Sequence, residues 1–236
     1  MDRVQQYTVI DLEMTGLHPK TDKVIEIGAI KVRGGAIIDT YAMMVNPMMV
    51  IPARITELTG ITNDDVKAGA DMDEAMSGLI DFIAGEELVG QNVTFDYSFI
   101  KQWAINKKIP LEVKAYDTLK MARALLPVEQ SKKLESLCEY FGIKRDNAHR
   151  ALDDAKETKL VFEKLMDIAI AKNNEQLLSP SVLQYKAKRQ TPATAHQKER
   201  LMQYMQEHGI DDLINWDTIT RNEASRLYDN YRKIYS

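Results

Sequence analysis

Apolar positions fall into short runs broken by glycine, proline and charge early in the chain, and into three- and four-residue spacings later. The run Tyr7–Ile10 continues through Asp-Leu-Glu-Met and breaks at Thr15-Gly16, which predicts a short buried strand. Val24–Val32 and Ala36–Val45, separated by Arg33-Gly34-Gly35, predict two further strands, and three strands this close form an antiparallel meander most simply. Pro47 and Pro52 end that run, and a short helical turn follows within residues 53–61. Asp71 to Ala84 predicts an amphipathic helix, with Met72, Ala75, Met76, Leu79, Ile80 and Ile83 on one face and Gly85 closing it. A fourth strand, Glu87 to Asn92, runs into a helix on which Phe95, Phe99 and Trp103 fall four residues apart. A fifth strand is expected within residues 113–117, then helices at Thr118–Leu126 and Lys133–Phe141. The last long helix is expected from near Ala148 to about Ala171. At 100° per residue Ala151, Ala155, Thr158, Phe162, Leu165 and Ala169 stay within about 40° of one line, which marks its buried face.

This pattern puts four acids near one another. Asp11 and Glu13, two apart on a strand, project to the same side while Leu12 points to the other. Two carboxylates held together at a buried strand end repel, and a divalent cation relieves that repulsion. The spacing alone is weak, because Asp71 and Asp73 repeat it in a polar stretch and read as helix caps. Asp96 lies in the first turn after the fourth strand, where an acid also suits the helix dipole. Asp154 sits about 60° from the buried line of the last helix and Asp153 about 160° away, so Asp154 can face a site and Asp153 should face water. Sites in α/β sheets gather at the carboxyl ends of central strands, and the first and fourth strands are expected to be neighbours. With no lysine or arginine interleaved, the four acids are expected to form a cage for two hard divalent ions. His149, just ahead of the last helix, can take a proton near neutral pH; by itself it reads more readily as a surface histidine at a helix start.

Composition narrows the class without choosing the chemistry. The chain has 236 residues, one cysteine (Cys138) and a formal charge of −4. A single cysteine excludes an internal disulfide and suits a reducing cytoplasm, and neither a signal-peptide core nor a membrane-spanning run is expected. Mild acidity excludes a protein that coats nucleic acid through a large basic surface, but not one that binds a few phosphates through metal ions. The methionines at Met43, Met44, Met48 and Met49 are read as packing or sheet-edge residues. Composition changes near Ser179: residues 176–193, with two prolines and the basic Lys186, Lys188 and Arg189, read as a linker between a domain at 1–175 and a small helical module at 194–236. In that module Thr194/Gln197 and Thr220/Glu223 are expected capping boxes, and the two helices must close on each other or dock to be stable.

The segments DLEMTGL, QNVTFDYSFI and HRALDDA, in this order, resemble the three motifs of the histidine-type DEDD exonucleases, over roughly Tyr7 to Met166. The resemblance implies an α/β, ribonuclease H-like fold: a mixed five-stranded sheet flanked by helices, here followed by the all-α module. It implies metal ligation of two Mg²⁺ or Mn²⁺ ions by Asp11, Glu13, Asp96 and Asp154, a general base at His149, and release of nucleoside monophosphates from a 3′ end. Met14, Thr15, Asn92 and Phe95 in the motifs are the expected substrate contacts, with Leu58 in ITELTGIT beside the terminal nucleotide. DLEMTGL is the form associated with oligoribonucleases, whereas FDYSF and ITELTGIT resemble the polymerase-associated epsilon-subunit group, which is favoured. Expected partners are a single-stranded DNA 3′ end or short RNA, a DNA polymerase or other replication or repair protein, and a second copy of the chain. A non-catalytic nucleic-acid or polymerase-binding scaffold is the reading of another class.

Overall fold

The computed structural model describes residues 3–145, 149–187 and 189–235. In chain order they form β1 (Gln6–Met14), β2 (Val24–Arg33), β3 (Ala36–Met44), α1 (Ala53–Thr59), α2 (Asn63–Val66), α3 (Met72–Ile83), β4 (Leu88–Gly90), α4 (Thr94–Asn106), β5 (Lys114–Asp117), α5 (Thr118–Leu125), α6 (Leu134–Phe141), α7 (Ala151–Ala171), β6 (Ser181–Val182), α8 (Ala195–His208) and α9 (Arg221–Tyr235). The sheet order is β3-β2-β1-β4-β5-β6. β1, β2 and β3 are antiparallel neighbours, as their spacing predicts, while β4 lies parallel to β1 and β5 parallel to β4.

Period-two alternation along β1 divides the core. Tyr7 and Val9 join Ile30, Val32, Phe162 and Leu165 in a cluster that includes α5, α6 and α7. Ile10, Leu12 and Met14 join Ile27, Met76, Leu79, Tyr97 and Ile100 in another that includes α3 and α4. Asp11 and Glu13 continue the Tyr7/Val9 series and so belong to the face that α7 covers. All six residues placed on the buried line of α7, from Ala151 to Ala169, are buried, and Tyr7 meets Phe162 edge to face at 5.1 Å.

The approach of α7 depends on one glycine. Gly28 pairs with Asp11 across the β1–β2 ladder, and a Cβ built there would lie 2.2 Å from the Ala151 carbonyl carbon and 2.3 Å from the Leu152 nitrogen. Backbone cannot yield as a flexible side chain can, so Gly28→Ala is expected to push α7 off the sheet at its first turn. The expected loss is about 3 kcal/mol of stability, readable by chemical denaturation. Activity should fall with it, because Asp154 rides on the displaced turn; an unchanged midpoint would refute this account of the packing.

Two sequence expectations are corrected. The sheet has six strands, not five: Ser181 and Val182 pair antiparallel with β5, and the Leu183 N–H donates to the Val113 carbonyl at 2.9 Å. A two-residue strand beside a proline carries no readable periodicity, which is why the sequence shows only a linker there. The long helix begins at Ala151; Ala148, the expected start, lies outside the described residues, as does Lys188 of the basic cluster.

The C-terminal helices both close on each other and dock. Leu201, Met205, Ala224 and Tyr231 form their shared core. The Thr194/Gln197 capping box is present at α8, and Thr220 and Glu223 exchange the same reciprocal bonds at α9. From α9, Arg226 pairs with Asp22 at 3.1 Å and Glu223 pairs with Lys23, both in the turn between β1 and β2. Among the described residues no helix is long and apolar enough to cross a membrane.

Candidate active site

The site is assembled from the end of β1 and the first turns of α4 and α7. The Leu12 N–H, between Asp11 and Glu13, donates to Asp96 Oδ1 at 3.0 Å, so the strand backbone itself holds the third acid. Opposite Glu13 in the β1–β2 register stands Glu26. Its carboxylate accepts the Ala151 N–H at 3.0 Å and the Arg150 guanidinium at 2.8 Å, capping α7 from the neighbouring strand. That cap locates Asp154 one turn further on, buried. His149 precedes the helix with φ of 62°, a backbone region uncommon for a residue with a side chain. Among the described residues, ligand atoms of Glu13, His149 and Asp154 all lie within 4.8 Å of one another.

Electrostatics mark the cluster as short of positive charge. Burial, then the charges of Asp96, Glu13, Asp154 and Glu26, raise the Asp11 carboxyl well above its ordinary range. Burial and then Asp154, Glu26 and Asp96 push Glu13 up to about 8. Asp96 is pushed up to about 7 by burial, against the stabilising bond from Leu12. Oxygen donors in this number and state match a hard divalent cation, so the residues present fit the metal that the motifs imply.

The acids are not free of cations, however, and here the expectation of an uninterrupted acidic cage is corrected. Arg145 reaches Asp154 Oδ1 at 2.7 Å and Glu157 Oε2 at 2.6 Å. It lies nine residues before its partner, in the segment between α6 and α7, where no helical or strand periodicity predicts a contact.

The expected substrate contacts diverge. Asn92 is exposed with φ of 60°, and its N–H donates to Asp117 Oδ1 at 3.2 Å. Phe95 is half-buried and meets Phe99 edge to face at 5.5 Å. Leu58 is exposed on α1, available to a ligand. Met14 is packed into the α3/α4 core, and Thr15 is buried with its hydroxyl accepting the Lys23 N–H at 2.9 Å. Those two side chains hold the turn after β1.

Residues 8–162 match the family model described as Exonuclease. The chain belongs to the DEDD exonucleases of the ribonuclease H-like superfamily. A DNA polymerase III PolC-type of Clostridium perfringens is 40% identical over 182 residues, 74% of this chain and 13% of that protein. The 3′-5′ exonuclease DinG of Bacillus subtilis is 32% identical over 167 residues, 69% of this chain and 18% of that one. This exonuclease domain therefore spans only a small part of the relatives it matches. Among solved structures, the nuclease domain of 3′hExo, a DEDDh family member bound to rAMP, shares the fold with a TM-score of 0.59 at 22% identity, covering 69% of this chain and 92% of that one.

Three residues around the candidate site escaped sequence reasoning. Glu26 is the lone acid in a mainly apolar strand, and Gly28 an isolated glycine in the same strand, a known mark of close backbone approach. Both signals were readable in VIEIGAIKV. Arg145 had none.

Proposed function

We propose that the chain removes nucleoside monophosphates from the 3′ end of single-stranded or frayed DNA, using two divalent ions, Mg²⁺ or Mn²⁺. The observation that carries this reading is the meeting of Glu13, His149 and Asp154 within 4.8 Å, beside Asp11 and Asp96, in a cluster where the carboxyl groups of Asp11, Glu13 and Asp96 are held above their ordinary pKa range. Asp11, Glu13, Asp96 and Asp154 hold the ions, which when bound supply charge stabilisation and an activated water for an in-line displacement. His149 accepts the proton of the attacking water. Asn92, Phe95 and Leu58 line the way for the terminal nucleotide, and Met14 and Thr15 act through the turn they brace.

DNA is favoured over RNA as substrate because curated relatives at up to 40% identity carry the name DNA polymerase III. A polymerase partner rests on the same likeness. The reading divides the chain into an exonuclease unit at 1–175, a connecting segment at 176–193 that lends the sheet its edge, and the helical module at 194–236. A purely binding role is disfavoured, since a cluster of mutually repelling acids is costly to keep without a cation to hold.

With Mg²⁺ or Mn²⁺ the purified protein should release labelled mononucleotides from the 3′ end of a single-stranded oligonucleotide, and chelation should stop the release. A length series in both DNA and RNA decides the substrate. Faster turnover of very short RNA would transfer the reading to an oligoribonuclease-like activity, and no release from either polymer would refute it.

A further inference from the structure

Among the described residues Arg145 sets a guanidinium against a candidate metal ligand, and the side chains involved are largely buried. Its side chain is 14% exposed, and the carboxylates it joins, Asp154 and Glu157, are 10% and 6% exposed. They stand three residues apart on α7, so a single planar fork spans both: NH2 to Asp154 Oδ1 and Nε to Glu157 Oε2. Glu157 is in turn tied to α6, where the Cys138 thiol lies 4.0 Å from the same Oε2.

We propose that Arg145 is a positioning residue for the metal site: it fixes the rotation of the Asp154 carboxylate against α7. By bonding Oδ1 it leaves Oδ2 clear of the guanidinium. The same fork ties residue 145 to α7 through both carboxylates. A lysine could supply the charge but not the two parallel bonds. Carboxylate ligands held by such an outer partner are preorganised, and loss of the partner typically weakens metal affinity by about 10- to 100-fold.

The inference rests on the two-ion reading, and Mn²⁺ titration by calorimetry on the full chain separates the two. If the wild type takes up no Mn²⁺, the two-ion reading fails and this inference with it. If the wild type binds and Arg145→Gln binds equally well, the positioning role alone is overturned. The expected result is a 10- to 100-fold weaker Kd for Arg145→Gln, with Arg145→Lys recovering little of it. Tighter binding by Arg145→Gln would overturn the proposal in favour of a guanidinium that merely competes with the ion. Because a buried Glu157 left alone could unfold the protein, the paired variant Arg145→Met/Glu157→Met removes both charges together. It should fold and still show the weakened Kd; a wild-type Kd there would also refute the role.

Discussion

Asp11→Asn is expected to reduce mononucleotide release by about 10³-fold or more, yet to make the metal-free protein more stable at pH 8. Both effects come from the same crowding. The amide keeps the shape of the carboxylate but is a poor ligand for a hard cation, so the chemistry is lost. It also removes one charge from a group of acids that raise each other's pKa, with Asp11 well above its ordinary range and Glu13 at about 8. A carboxyl whose pKa is raised by folding favours the native state while it is protonated. That contribution is complete below the unfolded pKa, about 4, and is lost as pH rises toward 8. In chelator, then, the wild type should melt at a lower temperature at pH 8 than at pH 5, and excess Mg²⁺ should reverse the loss. Asp11→Asn should flatten the pH dependence and weaken the response to Mg²⁺. Thermal melts at the two pH values, with and without metal, check this; an equally steep pH dependence in the variant would sink the explanation.

His149→Ala is expected to lower turnover by about 10² to 10⁴ while leaving metal affinity within a few-fold of wild type. The geometry admits two roles for the imidazole, since its ring nitrogen is as close to Glu13 and Asp154 as a shared ligand would be. The proposed function assigns it the proton. A base and a ligand fail differently: loss of a base lowers kcat with metal binding intact, whereas loss of a ligand weakens metal binding first. Turnover at saturating Mn²⁺ beside calorimetric Mn²⁺ affinity separates them, and a large drop in affinity would make His149 a ligand. The backbone adds a second check. With φ of 62° at this position, His149→Gly should fold without strain yet be as inactive as His149→Ala.

Much of the frame was readable because it follows simple periods. Alternation in β1 put Asp11 and Glu13 on one face, the 100° step put Asp154 beside the buried stripe of α7, and both capping boxes of the C-terminal helices formed where Thr194 and Thr220 predicted them. Relations across the chain were harder to read. Glu26 caps α7 from 125 residues away, and Gly28 is needed only because Ala151 lies on it. β6 is too short to have a period, and it exists because β5 offers an open edge. Met14 and Thr15 were expected to meet substrate because they stand inside a motif, but the fold turns one into the core and uses the other to tie the following turn.

The ion pairs of α9 carry a consequence for that turn. Asp22 and Lys23, successive residues, are each gripped by the C-terminal helix, and the Lys23 backbone is bonded in turn to Thr15, two positions beyond Glu13. The stretch that looked like a detachable tail is thus a handle on the mouth of the site. A force or a binding event that shifts α9 would act through two ion pairs and the two hydrogen bonds between Lys23 and Thr15 on the residue that follows the strand of acids.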